Sequence, residues 1–199
     1  MFWDMVAGLY DVFENVYNGK VYRGTGEQVA KEIREEDEVL ECACGTGAIS
    51  VYVARKCKHL TATDFSVKML KQTVKKCAKY GNVTVRKANI MELKCKDARF
   101  DKVVAGNCIH LLDDPHGALA ELWRVCKPGG KIILPTYVNV KKNGETGFFV
   151  KLFHKAGANF QRQFDYKSYV AFLEEAGYPV ESCTLIEGRI PCAVAVIKR

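Results

Sequence analysis

From Glu38 onward, short β-branched or apolar runs alternate with longer stretches whose apolar residues recur every three or four positions. This is the rhythm of βα units feeding a parallel sheet. Strands are predicted over 38–42, 59–63, 83–87, 100–105 and 131–137. Helices are predicted over 48–56, over 66–79 with Ser66 as a hydroxyl N-cap, and over 115–126 with Pro115 in the first turn. Before the first strand, Phe2, Trp3, Val6, Leu9, Tyr10, Phe13 and Tyr17 repeat with a period of about 3.5, so the first seventeen residues read as an amphipathic helix.

The rhythm breaks over 138–164, where turn signals at Asn143-Gly144 and Gly147 precede Phe148, Phe149, Phe153 and Phe160. An inserted lid fits this segment. The chain then returns to a helix over 166–176 ended by Gly177, followed by β-rich runs over 180–186 and 193–197 that form a closing antiparallel hairpin. The pattern predicts one domain over 1–199, with a helical cap (1–36), a core (37–137), the lid and a C-terminal helix and hairpin (165–199). The fold class is α/β: a doubly wound, mostly parallel, seven-stranded Rossmann-like sheet with that hairpin and a helical cap or lid.

Composition removes several classes of function. With 199 residues and 48% apolar content, the chain can bury a core without covalent staples. Nine cysteines, an odd number without a CxxC pair, indicate neither a disulfide framework nor a zinc site. No signal-peptide pattern and no membrane-length apolar run is present, so a soluble protein of the cytoplasm is expected. The net charge of +7 favours polyanions only if the cations gather on one face. Lys68, Lys71, Lys75 and Lys79 recur as the solvated outer face of a helix whose inner face is expected to carry Val67, Leu70, Val74 and Ala78. That arrangement argues against a nucleic-acid partner. The oligomeric state is left open.

The chemistry centres on Glu41-Cys42-Ala43-Cys44-Gly45-Thr46-Gly47, where a strand runs into a Gly-rich turn and then a helix. Such a turn presents backbone N–H groups to a ligand, and Gly45 and Gly47 permit close approach. A dinucleotide fingerprint would place a third glycine where Ser50 stands, so that cofactor class is weakened.

The series of motifs after this turn resembles the class I S-adenosylmethionine-dependent methyltransferases, above all the small-molecule group that includes the ubiquinone and menaquinone C-methyltransferases. The resemblance covers about residues 39–137. Glu41 to Gly47 is similar to the family's first motif, with Ala43 in place of the usual first glycine; alanine is tolerable there if its φ is negative and strained if φ is positive. Thr63-Asp64-Phe65-Ser66 resembles the second motif, which implies that Asp64 accepts from ribose hydroxyls while Phe65 and Met69 pack on adenine. Lys87-Ala88-Asn89-Ile90 matches the third, with Asn89 where aspartate is common. Phe100 to Asn107 resembles the fourth, whose strand end faces the reacting methyl, and Trp123 to Gly130 resembles the next helix-turn-strand signature.

The resemblance implies S-adenosylmethionine as cofactor, S-adenosylhomocysteine as product, no metal and a small-molecule methyl acceptor. Alignment of the acceptor and exclusion of water would carry much of the catalysis. Where the acceptor must lose a proton, His110 is the nearest candidate base, with His116 and His154 as alternatives and His59 read as structural. Cys108 reads as a small buried hydrophobe. Tyr10, Tyr17 and Arg23 are candidates to close over the methionine end, Arg23 by pairing with its carboxylate. Competing readings are an RNA or protein methyltransferase, an NAD(P)-dependent oxidoreductase on a related fold, and a non-catalytic cofactor-binding protein. Against the first, Gly106-Asn107-Cys108-Ile109 lacks the Asn/Asp-Pro-Pro-aromatic run of enzymes that methylate base amines.

Overall fold

Seven strands form: β1 (Glu38–Cys42), β2 (His59–Asp64), β3 (Val83–Lys87), β4 (Phe100–Ala105), β5 (Cys126–Tyr137), β6 (Val180–Ile186) and β7 (Cys192–Lys198). The computed structural model describes residues 10–139 and 162–199, with side chains from Tyr17 onward. The strands make one sheet in the order β3-β2-β1-β4-β5-β7-β6. β1 to β5 run parallel, and β7 lies antiparallel between β5 and β6. The fold is the doubly wound, Rossmann-like α/β sheet that the pattern predicted.

Alternation along the strands sends side chains into two cores. Val39, Leu60, Ala62, Val104, Ile133 and Val194 pack on one face, and Leu40, Val103, Ile132, Leu134, Ala195 and Ile197 on the other. The first face is covered by α1 (Tyr10–Lys31), α2 (Ser50–Val53) and α3 (Val67–Cys77), the second by α4 (Pro115–Val125) and α5 (Tyr166–Glu175). The strand order reverses at β1: the chain moves out to β3 and re-enters beside β1 as β4. A crevice therefore opens past the carboxyl ends of β1 and β4.

Several helices depart from the sequence reading. The N-terminal helix runs over Tyr10–Lys31, with non-helical angles at Asn18, and its residues 18–31 went unpredicted because Gly19, Gly24 and Gly26 interrupt the apolar period. Packing overrides that cost: a Cβ on Gly26 would lie 2.3 Å from the Tyr52 ring, so only glycine lets α1 seat this closely. The helix expected over 48–56 shrinks to Ser50–Val53, because the turn after β1 consumes its first residues and Ile49, Val51 and Val53 are β-branched.

In α3, Ser66 caps as expected, its Oγ accepting from Met69 N at 3.2 Å, but the buried face is Met69, Leu70, Thr73 and Cys77. Val67 and Val74, expected inside, are about half exposed. Both sets share Leu70 and a three-to-four spacing, so the period could not choose between them. The four lysines of the expected outer face are exposed. β5 begins five residues earlier than predicted, at Cys126, so Pro128-Gly129-Gly130 lies inside the strand. Gly129 N donates to the Arg199 carbonyl at 2.7 Å there. The lid phenylalanines and His154 lie outside the described residues, while Val138 and Phe164 on either side are buried. Among the described residues, no helix is long and apolar enough to cross a membrane.

Candidate active site

A cavity of about 590 Å³ fills the crevice at the β1–β4 reversal. Its floor is the turn after β1, where three residues in succession at alternate positions take left-handed backbone: Ala43 (φ 52°), Gly45 (φ 56°) and Gly47 (φ 83°). The turn is braced from two sides. Thr73 Oγ1, buried on α3, donates to the Gly45 carbonyl at 2.8 Å. Asp64, at the end of β2, accepts from Gly45 N through Oδ2 at 2.9 Å and from Ser66 N through Oδ1 at 2.8 Å. Lys76 Nζ ties α3 to the turn and to α1, donating to Thr46 Oγ1 at 3.2 Å and Tyr22 OH at 3.4 Å.

Glu41 is the deepest acid of the cavity, only 1% exposed, and Ser50 Oγ donates to its Oε2 at 2.6 Å. Burial pushes its pKa up to about 8, with the Ser50 hydrogen bond opposing and the nearby Asp64 charge adding to the rise. Two further polar atoms at the cavity wall are buried and have no hydrogen-bond partner among the described residues: Thr25 Oγ1 from α1 and Asn107 Oδ1 from the end of β4. Asn107 is itself held left-handed (φ 53°), its N–H donating to the Pro135 carbonyl at 2.7 Å. Buried acceptors left unmet are costly, so such atoms mark where a ligand group fits.

One wall is apolar. Met69 is 3% exposed, Ile90 is half-buried beside it, and Phe65 stands on the rim at 48% exposure with Lys87 Nζ 4.8 Å from its ring centre. Phe65 is thus no core residue. Asn89 is exposed, and its Oδ1 accepts from Met91 N at 3.1 Å, which spends one of its lone pairs on a local turn. The opposite end of the cavity is lined by Leu111, Leu112, Asp113 and Tyr137.

Most of the residues singled out in the sequence meet here: Glu41, Ala43, Gly45, Thr46, Asp64, Phe65, Met69, Asn89, Ile90 and Asn107 all line the cavity. Cys42 and Gly47 stand behind it, Cys42 buried in the sheet and Gly47 packed so that an added Cβ would lie 3.1 Å from Thr73 Cα. Two other choices, Arg23 and His110, need correction. Arg23 is exposed and does not line the cavity; its neighbours Tyr22 and Thr25 do, because α1 turns that face inward. The Tyr10 side chain lies outside the described residues. His110 is 5% exposed in the 3-10 turn Ile109–Leu111, and burial pushes its pKa down to about 4, so it is a neutral, weakly basic group behind the cavity rather than in it. Its sequence neighbours Leu111 to Asp113 take the position that His110 was expected to hold. Of the other histidines, His116 is exposed against the Phe172 ring, and His59 bonds Thr84 Oγ1 at 3.0 Å. Cys108 lines the cavity, but burial pushes its thiol up to about 12, leaving it uncharged.

Missed altogether were Thr25, Tyr22, Thr73, Lys76 and Tyr137. Thr73 carried a readable signal, a hydroxyl on the three-to-four repeat of Met69 and Cys77, whereas Tyr22 and Thr25 sit in a glycine-interrupted segment with no usable period.

Comparison with known proteins agrees with this geometry. Residues 40–134 match the family model described as a methyltransferase domain. The demethylmenaquinone methyltransferase of Lactiplantibacillus plantarum is 29% identical over 181 residues, 84% of this chain and 76% of that one. The ubiquinone/menaquinone biosynthesis C-methyltransferase of Bdellovibrio bacteriovorus is 31% identical over 134 residues, 65% of this chain and 57% of its own length. This chain therefore spans only part of such relatives. Among solved structures, an S-adenosylmethionine-dependent methyltransferase from Aquifex aeolicus superposes with a TM-score of 0.69 at 21% identity, covering 86% of this chain and 88% of that one. The magnesium protoporphyrin IX methyltransferase of Synechocystis, solved with bound S-adenosylhomocysteine, gives 0.67 at 15% identity over 89% and 83%. With the left-handed turn after β1, the acid closing β2 and the strand reversal between β1 and β4, these likenesses give the chain the motif series and the fold of the class I S-adenosylmethionine-dependent methyltransferases.

Proposed function

We propose that this chain transfers the methyl group of S-adenosylmethionine to a small-molecule acceptor bound beside Leu111, Leu112 and Tyr137. The observation that carries the reading is the cavity at the β1–β4 reversal, which gathers Glu41, Asp64, Thr25 and Asn107 beside the left-handed turn after β1. A volume of about 590 Å³ suits a cofactor of this size. The cofactor, when bound, supplies a methyl already activated on a sulfonium centre.

The residues divide the work. Asp64, at the end of β2, accepts from the ribose hydroxyls. Phe65, Met69 and Ile90 form a slot for the adenine ring, Met69 through its polarizable sulfur, and Asn89 uses its remaining lone pair toward the amino group. Glu41, Thr25 and Asn107 offer acceptors to the methionine ammonium. Leu111, Leu112 and Tyr137 hold the acceptor in line and exclude water. Asp113, at the rim of the same end, stands where a proton acceptor is needed. The relatives named for menaquinone and ubiquinone synthesis support an aromatic or apolar acceptor. The nine free cysteines, seven of them buried, fit a reducing compartment, and we propose the cytoplasm.

Calorimetry with S-adenosylhomocysteine tests the reading. One site per chain is expected, with at least about a hundredfold loss in Asp64→Ala, because the two turn N–H groups lose their partner together with the ribose. Absence of binding to the parent chain, or an unchanged Asp64→Ala, refutes it. Turnover of a demethylated quinol with labelled cofactor then tests the acceptor.

A further inference from the structure

Between β3 and β4 the chain makes no helix, only the loop over 88–99. Among the described residues, this loop and not a helix lies on the face of β2 and β3 beneath it, and a second cavity of about 670 Å³ opens there. Its floor is Leu40, Thr61 and Thr63, polar on β2 where the other face of the strand carries Leu60 and Ala62. Five cations line it: Arg86 and Lys87 from β3, and Lys94, Lys96 and Arg99 from the loop and its end. Glu92 is the one acid in the lining. None of the five cations enters an ion pair among the described residues.

Like charges gathered at one cavity repel unless something answers them. The loop is nevertheless pinned. Arg124 on α4 donates to the carbonyls of Leu93 at 2.8 Å and Cys95 at 3.0 Å, and Glu121 accepts from Leu93 N at 2.8 Å. The segment that carries Lys94 and Lys96 is thus fixed by contacts from α4. This cavity shares only Phe65, Ala88 and Asn89 with the candidate active site.

We infer that the cavity beneath the β3–β4 loop binds a small phosphorylated molecule carrying two or more phosphate groups. An open cavity rimmed by several guanidinium and ammonium groups fits a compact multivalent oxyanion, for which each charge-assisted hydrogen bond adds. The exposed lysines of α3, on the opposite face of the sheet, take no part.

Calorimetry on the full chain with inorganic tripolyphosphate tests this directly, with inorganic phosphate as the monovalent comparison. Tripolyphosphate is expected to bind one per chain, at least about tenfold tighter than phosphate and more weakly as salt rises. The double variant Arg86→Gln/Arg99→Gln should lose at least about tenfold in that affinity, while Lys71→Gln/Lys75→Gln on α3 stays within about twofold. S-adenosylhomocysteine affinity should be unchanged in both, which separates this site from the active site. Should the arginine pair fold poorly, Lys94→Gln/Lys96→Gln carries the same expectation. Equal affinity for phosphate and tripolyphosphate, an equal loss in the α3 variant, or binding of a single-stranded oligonucleotide but not of tripolyphosphate overturns the inference.

Discussion

Replacing Glu41 by glutamine should make the cofactor-free protein more stable at neutral pH, and the gain should depend on pH in a way set by burial. In the folded chain Glu41 keeps its proton up to about pH 8, whereas in the unfolded chain it loses it near 4.5. Between those values the folded state binds one more proton than the unfolded state, so stability falls as pH rises. Each pH unit in that window is worth about 1.4 kcal/mol, which removes ~3 kcal/mol by pH 7 and ~5 kcal/mol at and above pH 8, to order of magnitude. Glutamine has the shape of the protonated acid and no charge to gain on unfolding. It can still accept from Ser50 Oγ through its amide oxygen, with its NH₂ facing the cavity.

The assay is thermal unfolding of parent and Glu41→Gln from pH 4.5 to 9, without cofactor. Other carboxyls tilt both curves alike, so the difference between them isolates this residue. It should be near zero at pH 4.5 and grow to ~3 kcal/mol at pH 7, raising Tm by roughly 6–12 °C for a chain of this size. Binding of S-adenosylhomocysteine should weaken at least about tenfold in the variant, because the ammonium loses an anionic acceptor. Parallel curves, or a variant less stable than the parent at pH 7, would refute the reasoning.

Three other changes probe the frame of the site. Ala43→Gly removes a Cβ from left-handed backbone at φ 52°, a strain of about 1–2 kcal/mol only partly offset by the freedom glycine gains on unfolding, so Tm should rise by about 1–4 °C. Thr73→Val keeps the volume but leaves the Gly45 carbonyl unmet, and should cost about 1–2 kcal/mol in urea unfolding and loosen cofactor binding with it. Arg124→Met frees the carbonyls of Leu93 and Cys95; with the side chain about a third exposed, a loss of about 1–2 kcal/mol is expected, and hydrogen exchange should show faster exchange at Leu93 and its neighbours.

The strands were legible because β-branched runs bounded by turn residues admit few readings, and six of the seven start within a residue of where the pattern put them. β5 is the exception. Pro128-Gly129-Gly130 carries every local sign of a turn, yet pairing with the chain terminus through Gly129 and Arg199 keeps the segment in the sheet. The helices were less legible for the opposite reason. α1 carries three glycines after Asn18, which local preference reads as loop, and the approach of Ile186 to Gly24 and of Tyr52 to Gly26 explains two of them.

The site divides along the same line. Asp64, Asn107 and the β1 turn lie at strand ends, where the sequence fixes direction and the fold class fixes which end carries the ligand, so they could be named before any coordinates. Thr25 and Tyr22 arrive from α1 and Tyr137 from the far end of β5, and their convergence depends on how helix and strand dock. His110 shows the limit of inference by proximity. It is next to Leu111 in the chain, but a 3-10 turn points neighbouring side chains about 120° apart, so one position lines the cavity and the next is buried behind it. A residue's chemistry could be read from the sequence, but its side of the turn could not, and that side separates a candidate base from a neutral histidine whose pKa burial has lowered to about 4.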